Sequence, residues 1–315
     1  MNDLLAALTL QGGHNTTVVI LGASLLGASA GAVGVFAMLR RRALVADAAA
    51  HAMLPGVALG FLANIALGWP GRSLPLVLTG AILAAAAAVG TIAAIERRTR
   101  LRSDAAIGSV LGVAFGLGAV LVSIVQGLAV GGQAGLDAFI LGSTSGLRRE
   151  DALLLGGAAL VTFAGIAAAW KELRLLAFDP LFARASGFRP ERIDLVLAAL
   201  ILLVIALGLR TVGVVLAVAV LVIPPAAARF WSDRLLVVVV AAAGIGAAGA
   251  WIGAALSSVH AGLPAGSTIV LVLAAMFIAS AGIAVLRRRA RATGATRAAG
   301  AARASGADRA GVAPA

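Results

Sequence analysis

Residues 40–67 read RRRALVADAAAHAMLPGVALGFLANIAL, three arginines followed by an apolar run broken only by an aspartate, a histidine and an asparagine. A helix needs about 20 apolar residues to cross roughly 30 Å of hydrocarbon, and the block 44–67 supplies that length. The same test finds further blocks, bounded by charge or turn residues, at 16–39, 74–95, 105–126, 152–170, 193–209, 212–229, 235–256 and 268–286. The expectation is an all-α, polytopic integral membrane bundle of about nine transmembrane helices. The short sixth and seventh blocks widen that to eight to ten.

Composition supports the membrane reading. The chain has 315 residues, 61% hydrophobic and 12% charged, with a mean hydropathy of +1.05. No water-soluble domain carries such a balance without aggregating. The net charge of +12 raises the question of nucleic acid, but the basic residues lie between apolar blocks, aromatics are 4% and there is no tyrosine. A nucleic-acid surface needs a continuous basic face with stacking side chains, so no nucleic-acid partner is expected. The absence of cysteine excludes disulfides, thiolate ligands and cysteine nucleophiles. Lys171 is the only lysine and follows no glycine-rich loop, which excludes a phosphate-binding P-loop. Nothing pairs a nucleophile with a base, and no enzymatic activity is expected.

The arginines give an orientation. One set of alternate loops holds Arg40, Arg41, Arg42, Arg97, Arg98, Arg100, Arg102, Lys171, Arg174, Arg184, Arg189, Arg192, Arg229 and Arg234, with the arginines beyond 286; the other holds only Arg72, Arg148, Arg149 and Arg210. Basic loops stay cytoplasmic. The expected layout is an extracytoplasmic N-terminus (1–15), a membrane domain (16–286) and a disordered basic cytoplasmic tail (287–315). The opening MNDLLAALTLQGGHN lacks a basic n-region and a long apolar core, so no cleaved leader is expected.

An ionisable side chain inside a span costs about 2.5–3.5 kcal/mol or more at its centre and marks function by default. Asp47 and His51 are four apart, on one helical face a turn from each other. A carboxylate and an imidazole suit zinc, manganese or ferrous iron. The same spacing also serves two groups that hydrogen-bond neighbouring helices and hold the bundle in register. Both lie within about 13 Å of Arg42 along the axis, in the inner half of the membrane by this topology. Pro55 and Gly56 follow, and Pro224 and Pro225 interrupt LVIPPAAARFW; prolines end or kink helices, and breaks are expected at both places. His14, His260 and Asp137 fall on the outer side, as entrance ligands or as loop residues.

The cytoplasmic stretch AFDPLFARASGF has its own punctuation. Asp179 is placed to cap a short helix, Pro180 suits its first turn and Gly187 can close it. Such a helix, carrying Leu181, Phe182 and Arg184, either lies on headgroups or docks into a groove on a cytoplasmic partner.

RRRALVADAAAHAMLPGVALGFL, TRLRSDAAIGSVLGVAFGLG, LDAFILG, AFDPLFARASGF, LRTVGVVLAVAVLVIPPAAARF and GLPAGSTIVLV, in this order, make the chain from Ala32 to Leu286 resemble the ABC-3 metal permease family. The resemblance implies a type II ABC importer-like fold in the bacterial inner membrane. It also implies a divalent transition metal (zinc, manganese or iron) as cargo, with no permanently bound cofactor. The implied partners are a second copy of the chain, a cytoplasmic ATPase subunit that binds ATP and an extracytoplasmic metal-binding protein. Asp47 and His51 fall on the family's Asp-Ala-x-x-His-Ala motif. The Asp179–Gly187 segment matches the region that contacts the ATPase, and Arg229 ends an Ile-Pro-Ala-Ala-Thr-Ala-Arg pattern, which makes both candidates for coupling. Ala46, Ala50, Pro225 and Ala227 depart from the motifs without removing an ionisable group. The competing expectations are a permease for a siderophore or corrinoid and a transporter that works without an ATPase.

Overall fold

A computed structural model describes residues 6–11, 13–68, 74–128, 149–212, 214–259 and 263–310, and every regular element among them is helical. In order, the helices are α1 (His14–Leu39), α2 (Ala43–Ala66), α3 (Leu74–Arg98), α4 (Ser103–Gly127), α5 (Arg149–Ala168), α6 (Trp170–Phe178), α7 (Pro180–Ala185), α8 (Pro190–Val212), α9 (Val214–Ala228), α10 (Leu235–Val259) and α11 (Ala265–Ala310).

Each of the nine apolar blocks is a helix, but among the described residues seven helices are long and apolar enough to cross a membrane. The two that fall short are the two short blocks. Helix α9 has 15 residues, a rise of about 22 Å, less than the hydrocarbon thickness. Helix α8 spends its first turns on Glu191, Arg192 and Asp194.

One expectation is corrected. The prolines do not break their helices: Pro55 lies inside α2, and Pro224 and Pro225 lie inside α9. A proline removes one backbone donor, and neighbouring helices compensate for it in an apolar bundle. Gly118 of α4 makes the room at Pro55, because a Cβ there would stand 2.9 Å from the Pro55 ring. Helix α11 runs from Ala265 to Ala310. Alanine and arginine are among the strongest helix formers, and a stretch that prolongs an existing helix escapes the cost of nucleation.

Small residues set the packing. A Cβ on Gly27 would strike the Gly246 carbonyl, one on Gly31 the Ala242 carbonyl and one on Gly34 the Leu221 carbonyl, so α1 lies backbone to backbone against α10 and α9. Gly56 meets Gly80 in the same way, and a Cβ on Gly60 would stand 2.8 Å from the Leu76 oxygen, which seats α2 on α3. In lipid no hydrophobic force joins two helices, and close approach through small residues supplies the dispersion contact instead. The core gathers around Phe36, Met53, Phe61, Leu197, Ile205 and Leu221, all buried. A second cluster joins Ile20, Leu155, Ile269 and Leu273 at the other end of α1.

Candidate functional site

Asp47 and His51 converge as their spacing requires. The carboxylate Oδ1 lies 3.5 Å from the imidazole Nε2, with the side chains 33% and 26% exposed. Their neighbours Ala46, Ala48, Ala49, Ala50 and Ala52 are buried, so α2 turns its alanine face to the bundle and leaves this polar edge accessible. Phe115 of α4 meets the His51 ring edge-on, centroids 5.4 Å apart, and limits where the imidazole can swing. Pro55 has no N–H to give to the carbonyl four residues before it, that of His51.

The separation is longer than a normal N–H···O bond and near the roughly 3–3.5 Å between two donors that each sit about 2.0–2.2 Å from one ion. The pair can therefore bind a cation jointly with little movement. Among the described residues no group of three or more His, Cys, Asp or Glu side chains could hold a metal ion. A cation here would complete its shell with water, backbone oxygen or groups beyond those residues. His14 is the first residue of α1; His260 and Asp137 lie outside the described residues.

The Asp179 segment folds as its punctuation reads. The Phe182 N–H donates to Asp179 Oδ1 at 2.8 Å, Pro180 opens α7 and Gly187 takes a φ of 83°. Ala183 is buried while Phe178, Leu181, Phe182 and Phe188 are exposed, an apolar patch at the α6–α8 end. Arg184 donates to Glu191 at 3.1 Å. The backbone N–H of Glu191 itself, then Arg184 and Arg97, hold its carboxyl below the usual carboxylate range against a smaller opposing desolvation. That pairing persists above the ordinary value and fades as pH falls through the lowered one. Arg229 stands apart from α7 in its pairing, 3.5 Å from Asp233 in the link to α10.

Three residues that sequence reasoning passes over, Phe115 at His51 and the acids Asp194 and Glu96 at the basic end of the bundle, join the picture, together with Arg40, which the sequence marks only as a loop arginine. Asp194 and Glu96 leave a trace in the sequence as acids at the basic ends of apolar blocks.

A protein-family model described as ABC 3 transport family matches residues 14–284. The chain belongs to the ABC 3 transport family. Among the relatives in this family, the manganese transport system membrane protein MntC of Bacillus subtilis is 36% identical over 266 residues, covering 84% of this chain; the chain spans 60% of that protein's length. The zinc transport system membrane protein TroC of Treponema pallidum is 36% identical over 262 residues, covering 83% of this chain and 86% of its own. PsaBC from Streptococcus pneumoniae, solved in complex with Fab, superposes with a TM-score of 0.74 at 29% identity, covering 88% of this chain and 95% of that one. The ABC 3 transport family thus accounts for the membrane helices from α1 to α11.

Proposed function

We propose that the chain is the permease subunit of an ABC importer for a divalent transition metal, manganese or zinc, moving the ion past Asp47 and His51 by alternating access. The observation that carries the metal reading is the convergence of carboxylate and imidazole at 3.5 Å on an accessible edge of α2. The family and the names of its manganese and zinc relatives support it. A bare cation finds no ligands in hydrocarbon, and a two-donor site completed by water binds weakly enough to let it go. ATP is hydrolysed on a separate ATPase seated against Leu181 and Phe182, with Arg229 also on the cytoplasmic side. A metal-binding protein delivers the ion from outside, and two copies of the chain form the path in the inner membrane.

The test is uptake of radiolabelled manganese and zinc into vesicles holding the permease with its ATPase and binding protein. Uptake of at least one metal is expected to require both ATP and the binding protein; uptake that proceeds without ATP would overturn the importer reading. For the docking face, Phe182→Ala is expected to weaken retention of the ATPase by about tenfold or more, as for a buried aromatic anchor. Retention at the wild-type level would show that the subunit sits elsewhere. The cysteine-free chain also permits a direct check of orientation. A single cysteine at Arg100 should react with a membrane-impermeant maleimide only from the cytoplasmic side and one at Arg72 only from outside, and the reverse pattern would invert the topology.

A further inference from the structure

Arg40 lies between α1 and α2 and touches two other segments at once. Its Nε and Nη2 donate to the Asp194 carboxylate of α8 at 2.9–3.2 Å, and its Nη1 donates to the Leu176 carbonyl of α6 at 3.3 Å. Both ionic side chains are mostly buried, 18% and 25% exposed. A buried pair of this kind adds little stability over an apolar contact of the same volume, so holding a helix pack together is a poor account of it.

The surroundings are built to carry displacement. Helix α6 is also pinned to α1 by the edge-to-face contact of Trp170 with the buried Phe36, centroids 5.9 Å apart. The turn from α1 into α2 is closed: the Arg42 N–H donates to Ala37 O at 2.7 Å and the Arg41 N–H to Met38 O at 3.0 Å, with Arg41 in the left-handed region at φ 55°. This is a Schellman closure, and it leaves no slack between the helices. Arg42 then pairs with Glu96 of α3 at 3.2 Å and approaches Asp194 to 3.9 Å. Asp47 follows Arg42 by five residues of unbroken helix, about 7 Å.

At this charged end a cavity of about 420 Å³ opens between α8 and the α2–α3 pair, lined by Arg42, Glu96 and Asp194 and by apolar side chains such as Ala49, Val89 and Leu195. Helix α8 is thus fastened to the α1–α2 turn beside an open cavity, while Leu197 and Ile205 on its other side pack into the core. We propose that the Arg40–Asp194 pair is the joint through which displacement of the α6–α8 segment reaches α2, making both positioning residues that couple ATP hydrolysis to metal movement. The proposal rests on the reading of the chain as an ATPase-driven metal permease.

The experiment measures ATP hydrolysed and metal taken up by the same vesicles, with the full complex carrying wild-type permease, Arg40→Gln, Asp194→Asn or both changes. Hydrolysis is expected to stay within about twofold of wild type while metal moved per ATP falls about tenfold in each single variant, within the range of measured network couplings. The double variant is expected to be no worse than the poorer single one, because the two residues act as one contact. Arg40→Lys keeps the charge and assembles even if the neutral variants do not; it loses the two-pronged bond and is expected to lower the ratio about threefold. A wild-type ratio in the lysine or either single variant, or losses that multiply in the double, would overturn the joint alone. Failure of the wild-type complex to take up metal would overturn the functional reading and the joint with it.

Discussion

Alanine at Asp47, at His51 or at both stops metal uptake while leaving the permease folded and bound to its ATPase. The loss should be at least about tenfold for either change, since removing even the groups that merely orient a metal ligand costs 10–100-fold. No third His, Cys, Asp or Glu among the described residues stands close enough to take over. Folding should survive for two reasons. Both side chains are a quarter to a third exposed, so no large cavity opens, and alanine is the best helix former for the interior of α2. Asp47→Glu, which keeps the charge and displaces it by one methylene, should retain part of the activity. The measurement is the initial rate of manganese and zinc uptake at matched amounts of assembled complex. Wild-type uptake by the double alanine variant would sink the metal role of the pair and favour a chelated cargo.

Leucine at Gly246 has the largest expected effect on the fold. A Cβ on Gly246 already meets the Gly27 carbonyl of α1, backbone rather than a side chain that could turn aside. Helices α1 and α10 would have to separate along their length. Overpacking a well-filled core costs about 1–3 kcal/mol where side chains can shift; here they cannot, and a cost above that range is expected. Folded, monodisperse permease in detergent should be nearly absent, whereas Gly112→Leu, where a Cβ meets nothing within 4 Å, should purify like wild type. Equal yields of the two variants would mean that the α1–α10 crossing is not the contact described.

The helices were legible because the 20-residue length required by the bilayer is a property of composition alone. The cap of α7 was legible for a similar reason: Asp179, Pro180 and Gly187 act on the backbone within a few residues of themselves. The convergence of Asp47 and His51 was legible too, since i and i+4 meet on any α-helix. The prolines misled, because whether a helix survives Pro55 depends on Gly118, sixty-three positions away on α4.

What the sequence by itself determined is a membrane protein of long apolar helices with one carboxylate–imidazole pair in a span and one capped helix in a basic loop. Which faces of those helices meet was left to the tertiary structure. Residues 84–88 are five alanines in a row, yet Ala81, Ala85 and Ala88 are buried while Ala86 and Ala87 are exposed. In water a polar face would have distinguished the two sides; in lipid both are apolar, and hydropathy carries no signal of which one packs. The Arg40–Asp194 contact was hidden for the related reason that its partners stand 154 residues apart, so only the close approach of α1, α6 and α8 brings them together.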